Sequence, residues 1–185
     1  MYGIEVLVNE HENIKRMAEV MRAASLQVMN GAELVVADFD AMVDFIRNYA
    51  DKHHHKKEED VLFMYMKEDL GQVAQTLITN GMLVEHDLGR LHMKELDEAL
   101  RSYELDQNDQ AKLDVIVNTT GYTYLIKRHI DKENAAVFTF GERGLKEESR
   151  NQVDQKTKEL EEAAQKDGLQ EKYLNILATL EKKYL

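Results

Sequence analysis

Two stretches of the chain decide the expected fold: HHHKKEEDVLF at residues 53–63 and HIDKENAAVF at residues 129–138. In each stretch a glutamate follows a histidine by four residues. The two pairs are His54 with Glu58 and His129 with Glu133. Since an α-helix turns once in about 3.6 residues, each pair lies on one helix face. Apolar residues recur around both pairs at helical spacing, so both are predicted to point into a helical core.

The chain also contains an internal repeat. His129 follows His54 by 75 residues, and the same offset carries Glu10-His11 onto Glu85-His86. A helical hairpin used twice accounts for these matches and predicts pseudo-twofold symmetry. A twofold axis sets equivalent residues opposite each other, which is the geometry that a two-metal centre requires.

The rest of the sequence favours an all-α fold. It contains no proline and nine glycines, and its turn residues divide it into six predicted helices. They span residues 3–29, 34–67, 73–105, 110–139, 145–166 and 169–184. The short connections predict an up-down-up-down antiparallel four-helix bundle over residues 1–142. Residues 143–185 are expected to form a C-terminal helical hairpin extension, packed on the bundle or on a second copy.

Helical phase predicts one inward histidine on each long helix. His11 is the strongly polar member of an apolar seam in the first helix, and His86 lies with Met82, Gly89 and Met93 in the third. Within the run of three histidines, the phase of 100° per residue selects His54. It turns His55 toward solvent and leaves His53 at the edge of the apolar face.

Four inward histidines and two inward glutamates form a nitrogen and oxygen donor set. Buried carboxylates are costly unless they are paired or bound to a metal. Imidazole with carboxylate and no thiolate suits iron or manganese, and zinc on ligand type alone. Glu58 and Glu133 are expected to bridge two metals that the histidines cap. The predicted ligands are His11, His54, Glu58, His86, His129 and Glu133.

These segments resemble the hemerythrin-like family, the bacterial HHE cation-binding domains. The matching motifs are NEHENI, HHHKKEEDVLF, VEHDLGR and HIDKENAAVF, which lie within residues 10–140. The resemblance implies a four-helix bundle that holds two iron ions in an oxo- or hydroxo-bridged (Fe-O-Fe) centre. Such centres bind dioxygen in hemerythrins proper. In relatives they are associated with oxygen or nitric oxide sensing, iron homeostasis or repair of iron–sulfur centres.

The sequence departs from the family pattern at one ligand. Hemerythrins proper have a fifth histidine one turn after the third-helix histidine, and Arg90 stands there in this chain. The open position is expected to be filled by water, His55, Tyr65 or Tyr122. The Arg90 cation near the site would disfavour a metal unless a carboxylate pairs with it.

The leading hypothesis is a di-iron protein that binds dioxygen, nitric oxide or peroxide, and a binding protein is favoured over an enzyme. A di-iron oxidase or peroxidase, or an iron–sulfur repair enzyme, is the first alternative. A metal-free helical interaction protein is the second. The absence of cysteine excludes thiolate sites, and the net charge of −11 argues against nucleic-acid binding. No apolar run is long enough for a membrane span and no leader is visible, so a cytoplasmic protein is expected. Homodimer contacts are expected at the C-terminal hairpin.

Overall fold

Helices make up nearly the whole chain, as the sequence predicts. The computed structural model describes residues 1–185 and contains no strand. Its α-helices are α1 (Tyr2–Met29), α2 (Val36–Phe45), α3 (Phe63–Leu77), α4 (Leu83–Leu105), α5 (Asp109–Lys132), α6 (Phe138–Gly144), α7 (Glu147–Lys166) and α8 (Leu169–Tyr184). The all-α class is therefore confirmed, while the up-down-up-down order of the bundle helices stays a prediction.

Four π-helical segments join these α-helices into longer rods. They are Ile46–His55, Glu58–Leu62, Ile78–Met82 and Glu133–Val137. With them, the second, third and fourth long helices run over residues 36–70, 72–105 and 109–144. Helix α3 is broken at Gly71, whose φ of 64° lies in the left-handed region. This break is the turn that the glycine at position 71 predicted.

Two apolar clusters fill the interior, one on each side of a polar layer. The larger contains Ile14, Ala50 and Met93, and the smaller contains Leu7 and Val61. Along the first three long helices an inward histidine separates the residues of one cluster from those of the other, and along the fourth Glu133 does so. The polar layer is therefore enclosed at both ends by packed hydrophobic side chains.

The C-terminal helices α7 and α8 pack on the bundle of the same chain. The Gly3 amide donates a hydrogen bond of 2.8 Å to Asp154 Oδ1 on α7. Tyr173 and Leu177 of α8 are buried in the larger apolar cluster. The last bundle helix continues to Gly144, and the partition into residues 1–142 and 143–185 stays a prediction.

None of the helices combines the length and the apolar character that crossing a membrane requires.

Candidate metal centre

The six predicted ligands lie together in the polar layer, and a seventh side chain joins them. All seven are buried, with no more than 5% of each residue exposed. Their donor atoms form two groups that share Glu58. One group is His55, Glu58, His86 and His129, and the other is His11, His54, Glu58 and Glu133.

The two carboxylates span the space between the groups. Glu58 Oε1 lies 3.4 Å from His54 Nε2, while Glu58 Oε2 lies 3.5 Å from His86 Nε2. Glu133 Oε2 lies 3.3 Å from His11 Nε2 and 3.2 Å from His129 Nε2. Two ligand atoms that each lie about 2.1 Å from one ion are at most ~4.2 Å apart. The separations therefore suit two ions with Glu58 between them.

All five imidazoles present Nε2 to the centre because Nδ1 is held from outside. The outer acceptors are Asn134 for His11, Glu10 for His54, Asp51 for His55, Glu59 for His86 and Glu85 for His129. Each Nδ1 donates to an oxygen at 2.6 to 3.2 Å. Such outer partners fix the tautomer and orientation of a metal-binding histidine and raise its basicity.

The internal repeat extends to these outer contacts. Glu10 Oε2 accepts from His54 Nδ1 and Glu85 Oε2 accepts from His129 Nδ1, both at 2.9 Å. Each glutamate also pairs with a lysine that lies three residues after the histidine it contacts, Lys57 in one half and Lys132 in the other. The glutamate of each Glu-His pair thus supports the histidine of a different helix. The matching Glu10-His11 and Glu85-His86 pairs were the sequence signal for this role, which the ligand prediction did not use.

His55 corrects the prediction that it faces solvent. It is 5% exposed, its ring stacks on His86 with centroids 3.8 Å apart, and its Nε2 has no hydrogen-bond partner. The phase was wrong because residues 46–55 are π-helical. The i→i+5 bonding of a π-helix widens the turn, so successive residues rotate by less than in an α-helix. Adjacent histidines therefore reach the same interior.

Arg90 lies outside the donor groups. Its guanidinium is held by three carboxylates, those of Asp51, Glu59 and Asp87, at 2.7 to 2.9 Å. The pairing that a neighbouring metal would require is therefore present. Asp51 and Glu59 are the same carboxylates that accept from His55 and His86. Arg90 thus occupies the position where the family resemblance leads us to expect a fifth histidine. Through Asp51 and Glu59, it helps to hold the imidazoles of His55 and His86 in place.

The structure places Tyr122 beside the donor groups and places Tyr65 and His53 away from them. Tyr65 lies at the C-terminal extension, where Lys156 Nζ is 5.1 Å from its ring centroid, so it is not gathered with the donor groups. Tyr122 is 1% exposed and lines a cavity with His55, His86 and His129. His53 is buried but turned to the other side, where its Nε2 lies 2.8 Å from Glu10 Oε1.

The electrostatics of the centre depend on its two carboxyl groups. Burial and the Glu133 charge raise the pKa of Glu58 well above its usual value. Burial also disfavours the charged form of Glu133, but His129 and His11 outweigh it and hold the Glu133 pKa well below its usual value. Burial lowers the pKa of His129, yet the Glu133 carboxylate outweighs that effect and raises it to about 9. The two carboxyl groups are therefore unequal, because the histidines stabilise the charged form of Glu133 while burial and that charge disfavour the charged form of Glu58.

The donor atoms fit a metal because they are otherwise unsatisfied. Eight buried side-chain polar atoms have no hydrogen-bond partner, and seven belong to this cluster. These seven are the Nε2 atoms of His11, His54 and His55 and all four carboxylate oxygens of Glu58 and Glu133. A buried polar atom left without a partner costs about 1–3 kcal/mol, more when it is charged. Their convergence is explained by cations that these atoms would bind.

Comparison with known proteins agrees with this geometry. The family model described as the hemerythrin HHE cation binding domain matches residues 2–140. No curated protein and no solved structure matches the chain. The matched residues include every member of the two donor groups, and they cover most of the chain. The chain belongs to the hemerythrin HHE cation-binding family.

Proposed function

We propose that the protein is a non-haem di-iron protein that binds dioxygen, nitric oxide or peroxide. The observation that carries the proposal is the set of seven unsatisfied donor atoms, which lie in two adjoining buried groups that share Glu58. Nitrogen and carboxylate ligands without thiolate suit iron and manganese, with zinc as a further occupant. Iron is preferred because helix bundles of this donor type hold carboxylate-bridged di-iron centres.

The two proposed ions would have different numbers of histidine ligands. One would take three imidazoles, from His55, His86 and His129, and the other two, from His11 and His54. Both would share the carboxylates of Glu58 and Glu133. The ion with two imidazoles has fewer protein ligands, so we propose that the small exogenous ligand binds on that side.

The surrounding residues serve this role by orienting donors and excluding water. Phe138 stacks on His11 with centroids 5.4 Å apart, and Phe63 lies against His86 at 6.2 Å. Both phenylalanines are buried in the smaller apolar cluster. Bound iron would supply the redox chemistry that the binding of a diatomic ligand or peroxide requires. The apolar packing beside His11 would slow uncontrolled oxidation on that side, because water and protons reach it poorly.

The test is to purify the chain without a histidine tag and to add ferrous iron anaerobically. Metal content and absorption are measured before and after air, then after azide. We expect two irons per chain and near-ultraviolet bands that shift with azide. Reversible visible absorption under dioxygen would support carriage or sensing, and irreversible oxidation would support an enzyme such as a peroxidase.

Matched histidine variants make this test specific. His54→Ala and His129→Ala are each expected to bind less metal than the wild type, because each removes an imidazole from a different donor group. His92→Ala is the control, since His92 contacts Asn118 and lies outside both groups. Metal content that is unchanged in both variants would refute the proposal, because it would mean that this cluster binds no metal, and it would favour a helical interaction protein whose core is metal-free. Cytoplasmic location and homodimer formation stay predictions from the sequence.

A further inference from the structure

A cavity of about 250 Å³ lies beside the three-histidine side of the centre. Its floor includes His55, His86 and His129, together with the buried residues Gly89, Met93, Tyr122 and Ile126. Its rim carries the charged residues Arg47, Asp51, Glu85, Arg90 and Lys94. The cavity opens to solvent at that rim. The cavity is therefore separate from the space between the donor atoms, and it contacts the imidazoles of His55, His86 and His129 from the side that faces away from that space.

At one position that lines the cavity, the two halves of the repeat differ in side-chain size. The counterpart of Gly89 in the first half of the chain is Ile14, which is fully buried in the larger apolar cluster. At position 89 there is no side chain, and an added Cβ would lie 3.5 Å from Tyr122 Cε2. A side chain as large as isoleucine at this position would extend into the space that the cavity occupies.

Tyr122 supplies the polar feature of the floor. Its hydroxyl is buried and is the one unsatisfied polar atom that does not belong to the metal donors. Burial raises the pKa of Tyr122, so the hydroxyl stays protonated and can donate a hydrogen bond. The Nδ1 atoms of the three imidazoles already donate to carboxylates. An acceptor atom brought into the cavity would relieve the cost of the unpaired hydroxyl.

Size and charge define the occupant further. An apolar cavity of about 150 Å³ holds benzene, so about 250 Å³ is more space than a diatomic molecule needs. The rim has three cationic and two anionic side chains. Two of the cations form their ion pairs with exposed carboxylates, Arg47 with Asp97 at 2.9 Å and Lys94 with Glu98 at 3.7 Å. Arg47 also donates a hydrogen bond of 3.3 Å to the Met93 carbonyl oxygen. Exposed pairs of this kind are weak and exchange partners readily.

We propose that this cavity is a binding site for a small organic acid, whose inner oxygen accepts a hydrogen bond from Tyr122 and whose carboxylate pairs with Arg47 and Lys94 at the rim. The apolar body of the molecule would lie on Gly89, Met93 and Ile126. The site goes beyond the binding of a diatomic ligand or peroxide by the metals. It does not depend on which metal the centre holds.

The test uses 4-hydroxybenzoate as the probe, titrated by NMR into protein with methyl-labelled isoleucine and methionine. Benzoate lacks the inner oxygen, and 4-hydroxybenzyl alcohol lacks the carboxylate. We expect the probe to shift the methyl signals of Ile46, Met93 and Ile126 and to bind more tightly than either analogue. Each titration is done with the metal-loaded protein and after chelation. Binding that persists without metal is expected, because the proposed contacts are to side chains.

Two variants assign the contacts. Tyr122→Phe should weaken 4-hydroxybenzoate by about 3- to 10-fold, the effect of one hydrogen bond, and leave benzoate unchanged. Gly89→Ile should abolish binding of both while metal content is retained. Gly81→Ile is its control, since it lies on the same long helix with no atom within 4 Å of an added Cβ.

Several outcomes would overturn the proposal. They are the absence of methyl shifts in the wild-type protein, loss of all binding on chelation, and an affinity of Tyr122→Phe for 4-hydroxybenzoate that equals the affinity of the wild type. The wild-type shifts decide the matter even if Gly89→Ile fails to fold. The di-iron proposal fails separately, through the absence of bound metal in the same preparations.

Discussion

At the residue scale, His55 is the member of the centre without a counterpart in the repeat. The other four histidines are related in pairs by the 75-residue offset, but the position that matches His55 is Ile130. Ile130 is fully buried in the larger apolar cluster, whereas His55 presents an unsatisfied Nε2. The two halves of the bundle thus differ by one imidazole. This difference makes the two proposed ions inequivalent.

Replacing His55 by alanine tests that asymmetry. We expect His55→Ala to keep the fold and to bind one equivalent of iron tightly, with the second equivalent weakened at least tenfold. The reason is that it removes an imidazole from the three-histidine group and leaves the His11 and His54 group intact. Metal analysis after gel filtration gives the stoichiometry. Two tightly bound equivalents in the variant would show that His55 is not a ligand.

At the element scale, the long helices are shaped by local departures from α-helix. Glu58 and Glu133 begin π-helical segments in the two halves of the chain. A π-helical turn shifts the side chains that follow it, and such turns occur frequently at functional sites. Between the second and third long helices, Gly71 adopts a φ of 64°. Non-glycine residues rarely adopt this conformation, because the Cβ approaches the following carbonyl oxygen.

Two glycine substitutions separate backbone strain from helix propensity. Gly71→Ala should destabilise the protein by about 1–2 kcal/mol, because alanine is strained at this positive φ. Gly81→Ala should stabilise it by about 0.5–1 kcal/mol, since Gly81 is helical and has open space around an added Cβ. Denaturant unfolding of both variants gives the two free energies. A stabilising Gly71→Ala would contradict the assigned turn.

The C-terminal helices are joined to the bundle by polar as well as apolar contacts. Glu161 of α7 accepts from Lys57, which also pairs with Glu10, the acceptor of His54. Glu181 of α8 accepts two hydrogen bonds from Arg16, one from Nε at 2.8 Å and one from Nη2 at 2.7 Å. Through Lys57, the extension therefore helps to position Glu10 and His54 in one half of the centre.

The pair of Glu181 with Arg16 predicts a measurable pH dependence. The hydrogen bond from Arg16 lowers the pKa of Glu181 below its usual value. A lowered folded-state pKa means that ionised Glu181 stabilises the protein above the unfolded-state pKa of about 4.3. This contribution is lost as the pH falls through the folded-state pKa. It is a surface pair, so its full value is below about 1 kcal/mol.

Comparison of the wild type with Glu181→Gln isolates this contribution. We expect the difference in their unfolding free energies to be constant above about pH 5 and to diminish as the pH falls further. Urea unfolding at a series of pH values measures it, and the difference removes the effect of all other carboxylates. A difference that grows on acidification would mean that the Glu181 pKa is raised rather than lowered.

At the scale of the whole molecule, a polar layer divides the interior into two apolar clusters. Seven unsatisfied donor atoms in that layer reduce the stability of the metal-free chain. A metal that binds only the folded state stabilises it by mass action, by about 2.7 kcal/mol at a hundredfold excess over its Kd. The bundle, the clusters and the centre are therefore energetically linked.

Metal removal should lower the thermal stability of the protein. For a chain of this size, about 2.7 kcal/mol corresponds to a shift in Tm of about 5–10 °C. Calorimetry of the iron-loaded protein before and after anaerobic chelation measures the shift. His54→Ala serves as the comparison, since it is expected to have weakened binding on the His11 and His54 side already, so chelation should change its Tm less. Equal Tm values with and without metal in the wild type would argue against the centre.

The sequence alone determined the helical class, the helix ends to within a few residues, and six of the seven gathered donors. These features follow from local chemistry. Turn residues mark the ends, and the period of the apolar positions selects the inward face. The repeat then pairs histidines and glutamates across the chain without any knowledge of their packing.

Only the tertiary structure decided the seventh donor, the outer carboxylates and the cavity. His55 was misassigned because the π-helical stretch changes the phase that an α-helical period assumes. Asp51, Glu59 and Arg90 act together through contacts between different helices, and no sequence spacing encodes such contacts. The cavity depends on an absent side chain at Gly89 beside Tyr122, which becomes visible only when the packed neighbours are known.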